Sequence, residues 1–150
     1  MLATSVTFDL VLVVHILLAV ASIAIFVVLR SAAASVAHGA SAEVQGQKFP
    51  PRRNWAARLF HLLPITGMIM VGAGDSSLSF SHAWLMAATL CWVLAAGHLE
   101  ARVLPAERRL STTIAEQGTA PAADGKRFGL SVDVLLSLVA VAFVLMVWQP

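Results

Sequence analysis

Four stretches of 16 to 24 residues in this chain carry almost no formal charge, and these lengths are close to what a helix needs to span a lipid bilayer. A helix that spans a bilayer needs about 20 apolar residues, because each residue advances about 1.5 Å along the axis. Leu10 to Leu29, Leu59 to Gly74 and Ser76 to Leu99 contain no Asp, Glu, Lys or Arg. Gly129 to Trp148 contains one acid, Asp133. We therefore predict an all-α bundle of four transmembrane helices, at about residues 6–29, 55–74, 82–101 and 129–148.

The composition supports a membrane protein of one domain. Hydrophobic residues make up 59% of the 150 residues and charged residues only 12%, whereas a soluble domain carries about 25% charged residues. So few charges do not cover a globular surface of this size, and the apolar surface needs lipid as its solvent. The single cysteine, Cys91, excludes an intrachain disulfide and a cysteine-rich zinc site.

The distribution of basic residues predicts the orientation of the helices. All ten Lys and Arg residues lie in the first connection (30–54), in the third connection (102–128) or in the helix ends that border them. Basic loops stay on the cytoplasmic side of a membrane. We therefore predict an up-down bundle in a bacterial cytoplasmic (inner) membrane, N-out and C-out, with both charged loops in the cytoplasm. This explains the basic excess without nucleic acid, and we expect no nucleic-acid partner.

The connections differ in length and composition. The second connection, residues 73–81, is short and rich in Gly and Ser, so we expect a hairpin of the second and third helices. In the third connection, the segment Pro105 to Gly118 predicts a short helix with Leu110 and Ile114 on one face. We expect this helix to lie on the membrane surface. Residues 119–125 are typical of a flexible linker.

Two features predict local packing. In the second helix, Pro64 lacks a backbone N–H and frees the carbonyl of Phe60, which predicts a kink beside His61. In the third helix, four small residues recur every four positions. They predict a ridge along which another helix packs closely, unless they reflect only the abundance of alanine. The members of this ridge are Ala83, Ala87, Cys91 and Ala95.

Ionisable side chains inside the predicted spans are the candidates for function, because such groups are costly in a membrane and usually face a partner or a cavity. Counted from the nearest basic residue of each helix, His61, His98 and Asp133 lie roughly 5 to 9 Å inside the charged boundary. His15 lies roughly 22 Å from Arg30, near or above the midplane.

Three interpretations of these residues stay open. His61 and His98 lie at matched depth on different helices, as axial ligands of a haem b do, whereas His15 and His61 differ in depth by about 10 Å. Alternatively, His61, His98 and Asp133, with Arg102 in support, form a proton relay or a metal-handling site. In the third interpretation, the histidines snorkel or bond neighbouring carbonyls and Asp133 caps a helix or pairs with Arg127 or Lys126, so these groups serve structure alone.

Short patterns spread over most of the chain carry a resemblance to known proteins. They are Val-Val-His15-Ile-Leu-Leu ending on Arg30, Leu-Pro64-Ile-Thr66-Gly67, Trp84-Leu85, and the ending Val-Trp-Gln149-Pro150. With these the chain resembles a family of uncharacterised small four-helix bacterial membrane proteins. That family is distantly similar to the copper-resistance D type and to the four-helix haem-binding protoporphyrinogen oxidase.

The resemblance implies a four-helix architecture and a functional role for His15. The chain departs from the family pattern at two places. The relatives usually follow the helix-one histidine with a Trp and paired glycines, where this chain has Ala19-Val-Ala-Ser22-Ile-Ala. The oxidase type also has a Lys early in helix three, and this helix has none.

The leading expectation is a small haem-b-binding or redox-accessory membrane protein. The first alternative is a non-catalytic subunit or scaffold of a larger membrane complex, or a homo-oligomer, with Ala-rich faces as contacts. The second alternative is a proton- or metal-handling membrane protein. Four helices without an internal repeat argue against a solitary secondary transporter, and the chain contains no soluble catalytic motif.

Overall fold

The computed structural model describes residues 2–51, 54–73 and 79–148, and within these ranges every regular element is a helix. The predicted connection at residues 73–81 falls largely outside them. Helical structure is continuous or nearly so across each candidate span. The elements are α1 (Leu2–Ala37), α2 (Ala42–Lys48), a 3₁₀ helix (Ala56–Leu62), α3 (Leu63–Ala73), α4 (Ala83–His98), a π-helical turn (Leu99–Val103), α5 (Leu104–Gln117) and α6 (Ala122–Trp148).

Four helical stretches are long and apolar enough to cross a membrane. This confirms the prediction of an all-helical protein with four candidate spans and places the chain among multi-pass membrane proteins. The stretches are Val6–Ala37, Ala56–Ala73, Ala83–Gln117 and Ala122–Trp148.

Three of these stretches run past the predicted spans. The 36 residues of α1 extend about 54 Å, whereas the hydrocarbon core of a bilayer is about 30 Å thick. α1 therefore projects beyond the apolar region at its Ala37 end. The flexible linker predicted for residues 119–125 is wrong from Ala122 onward, because α6 begins there. The carbonyl of Pro121 accepts the first helical bonds, from the N–H groups of Asp124 and Gly125.

The predicted helix at Pro105 is present as α5, and it continues α4 through the π turn. The N–H of Leu104 donates to the carbonyl of Leu99, five residues earlier, which accommodates the missing N–H of Pro105 without breaking the helix. Gly118 ends α5 with a φ of 81°, a conformation that glycine adopts easily. The prediction that this helix lies on the membrane surface is wrong, since Leu110 and Ile114 are buried within the protein.

A compact unit lies beyond the spans, and we call it the cap. It consists of residues 30–49, α5 and residues 118–129, and so includes α2, the end of α1 and the start of α6. Phe49 and Phe128 meet edge to face in its core, with ring centroids 5.8 Å apart. Edge-to-face pairs add roughly 0.5–1.5 kcal/mol beyond the buried area.

Gln45 is the polar centre of the cap and is only 1% exposed. Its Nε2 donates to the carbonyl of Ala40 at 2.8 Å, and its Oε1 accepts from the N–H of Ala120 at 3.0 Å. The segment between α5 and α6 is therefore fixed to α2 by a satisfied buried amide, which is the physical reason that it is not a free linker.

α1 and α6 approach each other closely in the cap. A Cβ at Gly125 would lie 2.6 Å from the backbone nitrogen of Ala37 and 2.8 Å from the Cβ of Val36. A Cβ at Gly129 would meet that of Ala33 at 3.6 Å. The spacing Gly-x-x-x-Gly is a known close-packing motif of membrane helices.

The predicted small-residue ridge on the third helix is only partly right. Ala95 is buried, but Ala83 is exposed and Cys91 is half-buried. A strict four-residue repeat drifts by about 40° per step around a helix of 3.6 residues per turn, so it leaves the packed face. The buried face of α4 and the π turn instead contains Leu85, Ala88, Ala95, Ala96 and Leu99.

Buried side chains are concentrated at one end of the bundle, which we call the basic end because it carries Arg30, Arg58, Arg102 and Lys126. Between residues 6 and 21, no side chain of α1 is buried, and α3 contains none among its residues. The core therefore lies around Phe26, Phe60, Leu99 and Val132 and continues into the cap.

Gly125→Ala should destabilise the protein by about 1–3 kcal/mol, because the added methyl overpacks the α1–α6 contact against backbone. The matched control is Gly97→Ala, since Gly97 also lies in a helix and has no atom within 4 Å of its Cβ position. Thermal unfolding in detergent should show a lower Tm for Gly125→Ala and an unchanged or higher Tm for Gly97→Ala. Equal Tm values would contradict the close approach.

Candidate functional site

The irregular backbone predicted at Pro64 is present. The chain changes there from a 3₁₀ helix to α3, and the carbonyl of Phe60 accepts a hydrogen bond from the indole N–H of Trp92 at 3.2 Å. The Phe60 and Trp92 rings also lie against each other, 6.0 Å between centroids. Trp92 thus supplies a donor where Pro64 cannot, as buried polar backbone in a membrane requires.

His61 belongs to an ionic cluster between the 3₁₀ helix and the π turn. Arg58 donates from Nε and Nη2 to the two carboxylate oxygens of Glu100, both at 3.0 Å. Nε2 of His61 lies 3.2 Å from Oε1 of the same carboxylate. Since a carboxylate only accepts, Nε2 of His61 is the donor. The cluster ties the start of one span to the end of the next.

His98 faces α6. Its Nε2 lies 2.8 Å from the carbonyl oxygen of Ser131, and because a carbonyl only accepts, Nε2 carries the hydrogen. The bond joins α4 to α6 at the level of the core. Nε2 is the ring nitrogen of His98 that lies farther from the backbone, and this hydrogen bond occupies it.

Asp133 pairs with α1. The Nε of Arg30 donates to Oδ1 of Asp133 at 2.6 Å, and both side chains are about half exposed. Arg102, the residue predicted to support Asp133 in a relay, is exposed on the π turn. Asp133 is therefore held by Arg30 of α1, whereas the purely structural interpretation named Arg127 or Lys126 as its partner.

His15 lies apart from the other histidines, on the face of α1 toward α3. Its Nδ1 lies 2.7 Å from Oγ1 of Thr66, and this hydroxyl donates to the carbonyl of Leu63 at 2.9 Å. A hydroxyl has one hydrogen, so when Thr66 donates to Leu63 it accepts from Nδ1 of His15, and the lone pair of the neutral ring then lies on Nε2. Gly67 leaves space beside this edge, since a Cβ there would lie 3.7 Å from Cε1 of His15.

The structure does not bring His61 and His98 to one site. His61 bonds Glu100, whereas His98 bonds α6, and residues 98 and 100 lie about 200° apart around a helix. The two imidazoles therefore lie on different sides of this helix. Within the described part of the chain, no group of three His, Cys, Asp or Glu side chains is arranged to hold a metal ion.

Compared with protein-family models, with curated proteins and with solved structures, the chain matches none.

Four important positions were not singled out from the sequence. Glu100 could have been found as the acid at the predicted depth of Arg58, on the next span. Gly125 and Gly129 form a Gly-x-x-x-Gly pattern, which the linker assignment for residues 119–125 concealed. Trp92 lies in the middle of the third uncharged stretch, and its role follows once the free Phe60 carbonyl is located.

Glu100→Gln should lower stability by about 1 kcal/mol, because the carboxylate is partly exposed and its ion pairs are screened. Glu116→Gln is the matched control, since Glu116 is an exposed acid on α5. We expect a fall in Tm of about 2–4 °C for the first variant only. The same Tm for both variants would show that the ionic cluster does not hold these spans together.

Proposed function

We propose that this chain is a non-catalytic subunit of a membrane assembly, a four-span anchor that holds a rigid cytoplasmic cap. The observation that carries the proposal is that the ionisable side chains predicted inside the spans form bonds to other elements of the same chain. His61, His98 and Asp133 each bond a group on another element. Interhelical hydrogen bonds of this kind stabilise membrane bundles, so these residues position helices.

We assign the bundle to a bacterial inner membrane, up-down, with both termini on the non-cytoplasmic side. The order of contacts supports the up-down arrangement. Phe26 meets Phe60, and His15, earlier on the first span, meets Thr66, later on the second, so these two spans run in opposite directions. The orientation rests on the ten Lys and Arg residues, which belong on the cytoplasmic side. The cap is then cytoplasmic.

The half of the bundle away from the basic end supports a protein partner. Its helices have little core of their own, and each presents large apolar side chains outward. Such faces pack against lipid or against helices of another membrane protein, and partner helices would also supply the close packing that this half lacks. Examples, with their exposed fractions, are Leu17 (62%), Met68 (66%), Leu90 (59%) and Val144 (53%).

Cysteine crosslinking tests this proposal directly, because Cys91 is the only native cysteine. In a Cys91→Ser background, one cysteine at a time is introduced on each helix face and labelled with a photoreactive maleimide in native membranes. The four substitutions are Leu17→Cys, Met68→Cys, Leu90→Cys and Val144→Cys. We expect discrete protein adducts from one or two of the four helix faces. Lipid adducts alone at all four positions would refute a subunit role, and an adduct at twice the chain mass would identify the partner as a second copy.

A second candidate function is haem b binding at His15, and one observation favours it. Histidine ligands of metals characteristically donate their other ring N–H to a neighbouring acceptor, which fixes the ring and its tautomer. Thr66 is such an acceptor for Nδ1 of His15 when its own hydroxyl donates to Leu63, and the lone pair of the ring then lies on Nε2. His61 and His98, in contrast, use Nε2 within the protein. A haem held here would supply one-electron chemistry, and His15 would be its axial ligand.

The visible spectrum of the purified protein, oxidised and dithionite-reduced, decides this second candidate. After expression with ample haem, His15→Ala should abolish the haem spectrum, whereas His61→Ala and His98→Ala should retain it. Thr66→Val should weaken haem retention and Thr66→Ser should restore it. Absence of haem from the wild-type protein would refute the candidate, and loss in His61→Ala and His98→Ala alone would point back to the pair at matched depth.

A further inference from the structure

An open groove between α1 and α6 at the basic end has a volume of about 440 Å³. It lies where the apolar spans meet the cap, which is the level of the lipid phosphate groups when the spans cross a bilayer as proposed above. The two helices contribute cationic side chains, small residues and one acid to its walls. The lining residues on which the argument depends are Arg30, His38, Lys126, Gly129, Leu130 and Asp133.

Arg30 is fixed in this groove. Its Nε donates to Asp133 at 2.6 Å, and its Nη1 and Cζ lie 3.4 and 3.5 Å from the position of a Cβ on Gly129. The guanidinium is thus packed along α6 beside Gly129. A guanidinium has five N–H donors, so the four on Nη1 and Nη2 are oriented by this contact and available to an acceptor.

The groove has an excess of positive charge. Asp133 is its only acid among the described lining residues, and it is paired with Arg30. Lys126 adds a second cation on an exposed position of α6. His38 binds the carbonyl of Ala34 through Nδ1 at 2.7 Å, so its neutral ring has no donor left for an anion. Arg30 and Lys126 are therefore the two groups that would hold a phosphate.

Apolar side chains continue the groove toward the interior of the span. Leu130 lines the cavity and is 67% exposed. Val134, one turn further along α6, and Val27, one turn before Arg30 on α1, are exposed as well. Residues three or four apart lie on one helix face, so these side chains form an apolar path that begins at the cationic end.

From this arrangement we propose that the groove binds an anionic phospholipid. Its phosphate lies between Arg30 and Lys126, and one acyl chain runs along Leu130, Val27 and Val134. Basic pockets between membrane helices bind lipid head groups by this combination of charge and depth. The apolar path distinguishes a lipid from a soluble phosphate, which would use the cationic end alone. The bound lipid would bridge α1 and α6 where the spans meet the cap.

Native mass spectrometry of the protein in mild detergent, titrated with dioleoyl-phosphatidylglycerol, tests the proposal. Lys126→Gln should weaken binding about fivefold, corresponding to about 1 kcal/mol for one surface cation. Arg127→Gln is the matched control, because Arg127 is the adjacent exposed cation and does not line the cavity. It should leave the affinity within a factor of two. Unchanged Tm values establish that both variants are folded.

Further binding measurements distinguish a specific lipid site from nonspecific attraction of anionic lipid to the basic end. Dioleoyl-phosphatidylcholine should bind at least several-fold more weakly than phosphatidylglycerol, and millimolar inorganic phosphate should not displace the lipid. Leu130→Asn should weaken lipid binding without changing the cations. Equal losses in Lys126→Gln and Arg127→Gln would overturn the proposal in favour of general surface charge. Displacement by inorganic phosphate would overturn it in favour of a soluble anion.

Discussion

α1 and α6 approach so closely at Gly125 that a single methyl group there would lie 2.6 Å from the backbone nitrogen of Ala37. Much of the remaining arrangement follows from this contact. It brings Arg30 onto Gly129 and into reach of Asp133. It also sets Phe128 against Phe49, and so joins the spans to the cap. The groove that we assign to a phospholipid is the space left beside the same contact.

Hydrogen bonds between spans complete the bundle. In a bilayer, helices gain little from hydrophobic burial against one another, because lipid is as apolar as they are. Polar bonds therefore determine how the spans face each other. Trp92 satisfies the carbonyl that Pro64 frees, His98 binds α6, and Glu100 holds Arg58 and His61. Most of the polar groups that looked functional in the sequence have this role.

Depth and direction are different pieces of information, and the histidines illustrate the difference. Counting residues from the charged boundary placed His61 and His98 at one level, which is a property of the chain. The direction in which each imidazole points depends on the rotation of its helix, and that rotation is set by packing. Because Glu100 faces the 3₁₀ helix, His98 faces α6, and the two rings are separated. His15 is a candidate ligand because its Nδ1 bonds Thr66, which lies on another helix.

The sequence by itself determined the number of spans, the helical class, the short helix at Pro105 and the irregular backbone at Pro64. These follow from apolar run length and from the missing N–H of proline, which act locally. It did not determine the length of α6, the buried role of α5 or the glycine contact at Gly125. Those depended on Gln45, Phe49 and Ala37 arriving from distant parts of the chain. Only the tertiary structure decided which partner each polar group has, because a hydrogen bond between helices requires their relative rotation as well as their depth.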